Sequence, residues 1–191
     1  MEGCVFHKVP MSAAIFRRLK DVGGGPNLHN VMVLPGIFGL VIQMTPRAYG
    51  EAKNLLLAAL SSEYQHPKIV MAVDADVDIF NPSELMWALS TRVDPQKDVT
   101  IISGTHNHAM DASLAELGAP GTALWQRFGS KMLIDATIPP PADAEARSMF
   151  ERIRPRNPQL RLEDFAAESS LPLVRALSPI CLLYTSDAAD E

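Results

Sequence analysis

One run of residues constrains this chain more than any other: Lys68-Ile69-Val70-Met71-Ala72-Val73, closed by Asp74. A strand with one wet face alternates apolar and polar residues. This run does not alternate, so it predicts a strand buried on both faces. A strand of that kind needs sheet neighbours on either side and helices above and below, and the flanking sequence offers both.

Upstream, a helix is expected over residues 12–21. Ser12 is its candidate cap, Ile15, Phe16 and Leu19 recur on one face, and Gly23-Gly24-Gly25 ends it. Two β-rich apolar segments, 29–34 and 38–44, are separated by Pro35-Gly36 and read as strands. Thr45 and Pro46 then have the form of a cap and first helical residue, with Tyr49, Ala52, Leu56 and Ala59 as an apolar stripe.

Beyond the buried strand, Asn81 is a cap, Pro82 a first helical residue and Glu84 the partner of a capping box. That helix carries Leu85, Trp87, Ala88 and Leu89 towards Arg92. Strands are expected over 99–103 and 131–134, and a helix over 143–153 beyond the break at Pro139-Pro140-Pro141. Residues 104–129 form a long irregular stretch, and a loop of that length in a compact domain is usually functional or mobile. Strands alternating with helices predict a single α/β domain, and the tandem strands before Thr45 make its sheet mixed rather than wholly parallel.

A net charge of −5 and scattered Lys and Arg give no electrostatic reason to expect a nucleic-acid partner. No apolar run approaches the ~20 residues that cross a bilayer, and the first residues lack a basic-then-apolar leader. Cys4 and Cys181 lie at opposite ends, which argues against a disulfide framework and for a reducing, cytoplasmic setting. The expected organisation is an upstream remnant or linker over 1–10, the α/β domain over 11–140, a helical extension over 141–179 and a non-native tail over 180–191. The string Leu-Leu-Tyr-Thr-Ser-Asp-Ala-Ala-Asp-Glu at 182–191 resembles translated sequencing-adapter read-through, which would leave Cys181 without a role.

Two constellations could carry chemistry. Asp74, Asp76 and Asp78 directly follow the buried strand, and in extended chain alternate residues share a face. Three carboxylates there could meet on a hard cation such as magnesium, the arrangement of a metal-dependent phosphohydrolase using Asp74 and Asp76. The alternative is structural: they cap the following turn and pair with Arg92 or Lys131. His106-Asn107-His108 is the second. Two histidines at that spacing can ligate zinc only with further ligands, and His7, His29 and His66 lack such spacing. No nucleophile elbow, phosphate loop or dinucleotide fingerprint is present.

Around these constellations the residues resemble the UbiD family of prenylated-flavin decarboxylases. The stretch from Ile69 to Ile79 is similar to that family's apolar strand ending in an Asp-x-Asp-x-Asp-like run. Glu84-Leu85-Met86-Trp87-Ala88-Leu89-Ser90-Thr91-Arg92 resembles its Val-Trp-Ala helix, followed by a similar link at Asp94-Pro95 and Asp98. Met110-Asp111-Ala112-Ser113 resembles a Leu-Asp-Pro-Ser element, with Ala112 in place of proline. Lys131-Met132-Leu133-Ile134-Asp135-Ala136-Thr137 resembles Lys-Met-Gly-Ile-Asp-Ala-Thr, with Leu133 in place of glycine.

The resemblance implies the C-terminal domain of a carboxy-lyase that acts non-oxidatively and reversibly on an aromatic or α,β-unsaturated acid, as in ubiquinone biosynthesis. It implies prenylated FMN and manganese, with potassium as a further ion, held in the full-length parent by an upstream flavin-binding domain that also carries the catalytic Arg and Glu residues. No catalytic, cofactor-binding or metal residue is therefore assigned to this chain, which is expected to be inactive alone. The domain is expected to make homo-oligomer contacts and to close the substrate pocket, with His106, His108 and Met110 as the substrate-binding residues. A non-catalytic oligomerisation module is the remaining alternative.

Overall fold

In the computed structural model, residues 3–108, 110, 111, 113 and 128–150 are described, and all belong to the unit Met1–Phe150. The sequence-expected tail and Cys181 lie outside the described residues, as does the end of the helix expected over 143–153.

Five strands form one sheet in the order β1-β2-β3-β5-β4. They are β1 (Leu28–Val33), β2 (Gly39–Met44), β3 (Ile69–Val73), β4 (Val99–His106) and β5 (Phe128–Ala136). The central strands β2, β3 and β5 are parallel, whereas β1 and β4 run antiparallel on the two edges. The sheet is mixed, as the tandem β1–β2 pair predicts.

Period-two alternation sends neighbouring residues of each central strand into two different cores. Leu40, Ile42, Val70, Ala72 and Leu133 pack with Met11, Ile15 and Leu19 of α1 (Gly3–Leu19) and with Leu55 and Leu56 of α2 (Glu51–Leu60). Val41, Met71, Val73, Ile134 and Ala136 pack with Leu85 and Ala88 of α3 (Pro82–Arg92) on the opposite face. Both faces of β3 are thus covered, which is why its sequence is unbroken by polar residues. Each fully buried Leu or Ile contributes about 1.5–3 kcal/mol.

Two helix starts differ from expectation. The first helix begins at Gly3, not Ser12, and passes through Pro10. Proline forfeits one helical hydrogen bond, and burial of Met11, Ile15 and Leu19 against the sheet holds the helix through that loss. Ser12 is not a cap; its hydroxyl accepts from the Val33 amide at 3.1 Å and ties α1 to edge strand β1. The expected boundary at residue 10 falls inside this helix.

Nor do Thr45 and Pro46 start α2, which begins at Glu51 after Gly50 at φ 82. The Thr45 hydroxyl is instead 2.9 Å from His29 Nε2 and 3.4 Å from an Asp74 oxygen. Tyr49 consequently lies outside the stripe, exposed, and donates to Asp143 at 2.7 Å. Asp143 also caps the short α4 (Ala144–Ser148) by accepting from Ala146 N at 3.1 Å. By contrast, α3 starts as expected, with the Asn81 side chain accepting from Ser83 N at 3.0 Å.

The last two strands are longer than the sequence predicts. β4 continues three residues past Ser103 through a bulge, where the register slips between Ile102 and Thr105. Gly104 sits there at φ 74, in the left-handed region that favours glycine. The bulge brings His106 opposite Phe128 at the end of the ladder.

Candidate functional site

The two ends of the parallel strands carry different chemistry. At the carboxyl ends of β2 and β3 lie the three aspartates, and they diverge. Asp74, 1% exposed, accepts from the Arg147 guanidinium at 3.1 and 3.3 Å and from its neighbour Ala75 N at 2.8 Å. The same Arg147 donates to the Pro139 carbonyl at 2.6 Å, so α4 is fastened onto the strand ends. Asp76 pairs side-on with Arg92 at 2.9 and 2.5 Å, and the buried guanidinium lies 4.7 Å from the Trp87 ring. Asp78 accepts from Phe80 N at 2.8 Å and closes the turn into α3.

The structural reading of these aspartates, with Arg92 as a partner, matches the geometry. The phosphohydrolase alternative fails on it: Asp74 and Asp76 are each occupied by a different arginine. Among the described residues no three His, Cys, Asp or Glu side chains converge on a point that could hold a metal.

At the other end, β4 is antiparallel to β5, so the chain leaving it emerges beside the amino ends of β3 and β5. The rule that ligands bind at the carboxyl ends of parallel strands therefore gives no support to the segment that follows β4. Its sequence-predicted residues differ in their surroundings. His106 ends the strand and is exposed. His108 is stacked on His66 with ring centroids 3.8 Å apart and planes 21° from parallel. Met110 is 64% exposed, and its amide donates to His108 Nδ1 at 3.2 Å.

Sequence reasoning overlooked the group that fixes this segment. Lys68 donates to both oxygens of Asp111 at 2.8 and 3.0 Å and to the Ser113 hydroxyl at 2.8 Å. Ser113 in turn donates to Asp111 through its amide at 3.0 Å and its hydroxyl at 2.7 Å. Burial pushes the Asp111 carboxyl up, but the Lys68 and Ser113 hydrogen bonds outweigh it and hold the group below the usual carboxylate range. His66 moves down, first through burial and then through the neighbouring positive charges of His108, His7 and Lys131. Lys131, only 4% exposed, is also pushed down by burial. A lysine heading the 68–73 run was the available signal, since a charge at a strand's buried start requires a partner.

Residues 4–136 match the family described as the 3-octaprenyl-4-hydroxybenzoate carboxy-lyase C-terminal domain. The chain belongs to the UbiD family. A phenolic acid decarboxylase of Sedimentibacter hydroxybenzoicus is 37% identical over 138 residues, covering 71% of this chain and 27% of that protein. An anhydromevalonate phosphate decarboxylase of Methanocaldococcus jannaschii is 31% identical over 163 residues, covering 81% of this chain and 35% of its own length. The UbiD-class enzyme HmfF of Pelotomaculum thermopropionicum, solved in complex with FMN, superimposes with a TM-score of 0.62 at 30% identity, covering 82% of this chain and 32% of that one. This UbiD domain spans about a third or less of the curated relatives it matches, and its mixed sheet with flanking helices matches the UbiD-class structures.

Proposed function

We propose that this UbiD domain serves a carboxy-lyase that removes carbon dioxide, non-oxidatively and reversibly, from an aromatic or α,β-unsaturated acid. The observation that carries the reading is the family match over residues 4–136, together with relatives named as decarboxylases. A flavin is supported by the FMN complex of one neighbour and the prenylated FMN complex of another. The described carboxylates do not fit a manganese site, because those that cluster are already paired. In this reading the cofactor, with its metal, is held by the portion of the relatives that this chain does not span, and prenylated FMN supplies the electron sink there.

The part assigned to this domain is to close the substrate pocket, with His106, His108 and Met110 on the side that meets the acid. Exposure of His106 and Met110 supports it, as does the anchoring of the same segment by Lys68 and Asp111. A fixed base beneath exposed side chains suits a wall that must hold a planar acid in one orientation. Association with further protein, the upstream flavin domain or a second subunit, is supported by Phe6, Val9, Phe80 and Met86, each more than 60% exposed. No helix among the described residues is long and apolar enough to cross a membrane, and the widely separated Cys4 and Cys181 favour a cytoplasmic setting.

A domain exchange tests the proposal. Residues 4–136 replace the corresponding part of the phenolic acid decarboxylase, and carbon dioxide release is measured over a panel of aromatic and unsaturated acids. An active chimera is expected, with Met110→Ala and Met110→Trp altering which acids are accepted while flavin loading is unchanged. A folded, flavin-loaded chimera without activity sinks the decarboxylase reading; a substrate profile indifferent to both variants sinks only the role of Met110. The 191-residue chain supplied with prenylated FMN is expected to release none.

A further inference from the structure

We infer that the domain carries an oxyanion-binding site, for a carboxylate or a phosphate, beneath the segment that follows β4 and centred on Lys131. The inference does not depend on the decarboxylase reading. A pocket of about 370 Å³ opens there, lined by Lys68, Asn107, Ser113, Ser130, Lys131 and Met132 among others. Its two lysines are in opposite circumstances. Lys68 is neutralised by Asp111 and hydrogen-bonded to Ser113. Lys131 is more deeply buried, yet among the described residues its ammonium has no hydrogen bond and no ion pair.

An ammonium carried on a buried stem opens onto the pocket here, and proteins normally neutralise such a charge with an acid or a network of acceptors. The surroundings of Lys131 do the reverse. His66 is near enough for Lys131 to oppose its protonation, and His7 and His108 act on His66 in the same sense. His66 Nδ1 is itself buried and without a hydrogen-bond partner among the described residues. Among the described residues lining or flanking this pocket the carboxylate is Asp111, and it is engaged by Lys68 and Ser113.

What remains is a concave space with the Lys131 ammonium, a second lysine on its wall, and the amide of Asn107 and hydroxyl of Ser130 as neutral donors. Such a set favours an oxyanion, which accepts several charge-assisted hydrogen bonds at once. It disfavours a cation. Ile69, Ile101 and Met132 supply an apolar wall, which suits a carbon skeleton behind the anionic group.

The test is a thermal melt of the 191-residue chain at pH 7 in sodium phosphate, in sodium benzoate and in sodium chloride at matched ionic strength. A saturable rise in Tm beyond chloride is expected, about 3–6 °C at ten times the dissociation constant. A response to phosphate alone identifies a phosphate-bearing ligand, and a response to benzoate alone a carboxylate. Either supports the site. Lys131→Met is expected to abolish the response while leaving the chain folded. No response to either anion beyond chloride, or an undiminished response in Lys131→Met, overturns the inference. Should that variant fail to fold, the His66 ring Cε1 proton is followed by NMR in the unaltered chain. It is expected to shift as the anion saturates, and a stationary resonance overturns the inference equally.

Discussion

The two ends of the sheet treat buried charge in opposite ways. At the carboxyl ends of β2 and β3 each buried group has its counter-ion: Arg147 faces Asp74, and Arg92 faces Asp76. At the amino ends of β3 and β5, among the described residues, basic groups outnumber acids: Asp111 pairs with Lys68, while Lys131 and His108 both act on His66. Charge that meets a counter-ion holds elements together. Unmatched charge has an energetic reason to recruit something else. The end where the aspartate motif attracts the eye is therefore the structural one, and the quieter end retains capacity for a ligand.

The largest effect is expected from breaking the matched end. Asp76→Ala leaves the Arg92 guanidinium, whose side chain is 1% exposed, without its bidentate acceptor. Stranding one partner of an enclosed pair costs about 3–5 kcal/mol. Because the Asp76 side chain is 39% exposed and partly screened, the expected loss is smaller, about 2–3 kcal/mol by urea denaturation. Asp78→Ala, which removes only a turn-closing bond, is expected to cost roughly 0.5–1 kcal/mol. Equal losses for the two would show that Arg92 is not the element that needs an anion.

The unmatched end should respond with the opposite sign. Lys131→Met replaces a lysine with a buried stem, whose ammonium has no partner among the described residues, with an apolar chain of similar length. Exchanging buried charge for well-packed apolar groups is often neutral or stabilising. A gain of about 1–2 kcal/mol is expected, or a Tm higher by roughly 3–6 °C in low-phosphate buffer. A destabilised variant would mean that the ammonium is already satisfied, and the contrast between the ends would collapse.

Much of the contrast was hidden from the sequence, for identifiable reasons. The unbroken apolar run before Asp74 announces β3, since burial on both faces leaves no place for polar residues. Asn81-Pro82 announces α3, since that cap is local. Thr45-Pro46 has an equally good helix-start pattern and misleads, because the Thr45 hydroxyl serves His29 and Asp74, partners 16 and 29 residues away. Lys68 and Asp111 are 43 residues apart, and nothing near either one names the other. The direction of β4 was equally hidden: 21 residues separate it from β5, enough for either a parallel crossover or a long hairpin. That one unknown decides which end of the sheet holds His108 and Met110. The resemblance to UbiD decarboxylases identified the family without revealing which charges are paired.

The smallest expected effect concerns protons at the unmatched end. Burial, and then His108, His7 and Lys131, lower the His66 pKa from its ordinary 6.5. A folded-state pKa below the unfolded one means that the unfolded chain binds more protons in the interval between them. Stability from this group is therefore complete above the unfolded value, and it is lost as pH falls through the lowered folded value. Asp111 has the same sign in a separate window, because its lowered carboxyl pKa places the loss of the Lys68 pair below the usual value of 3.8. Between pH 7.5 and 5.5 the Tm is thus expected to fall through His66, with Asp111 contributing little. His66→Phe keeps a ring to stack on His108 but carries no titratable nitrogen, so its Tm is expected to fall less over the same interval. Histidines elsewhere are common to both proteins, and the difference between the two slopes isolates His66. Parallel slopes would show that the stacked pair is already relaxed or solvated, and would remove His66 from the set of groups that make this end of the sheet unmatched.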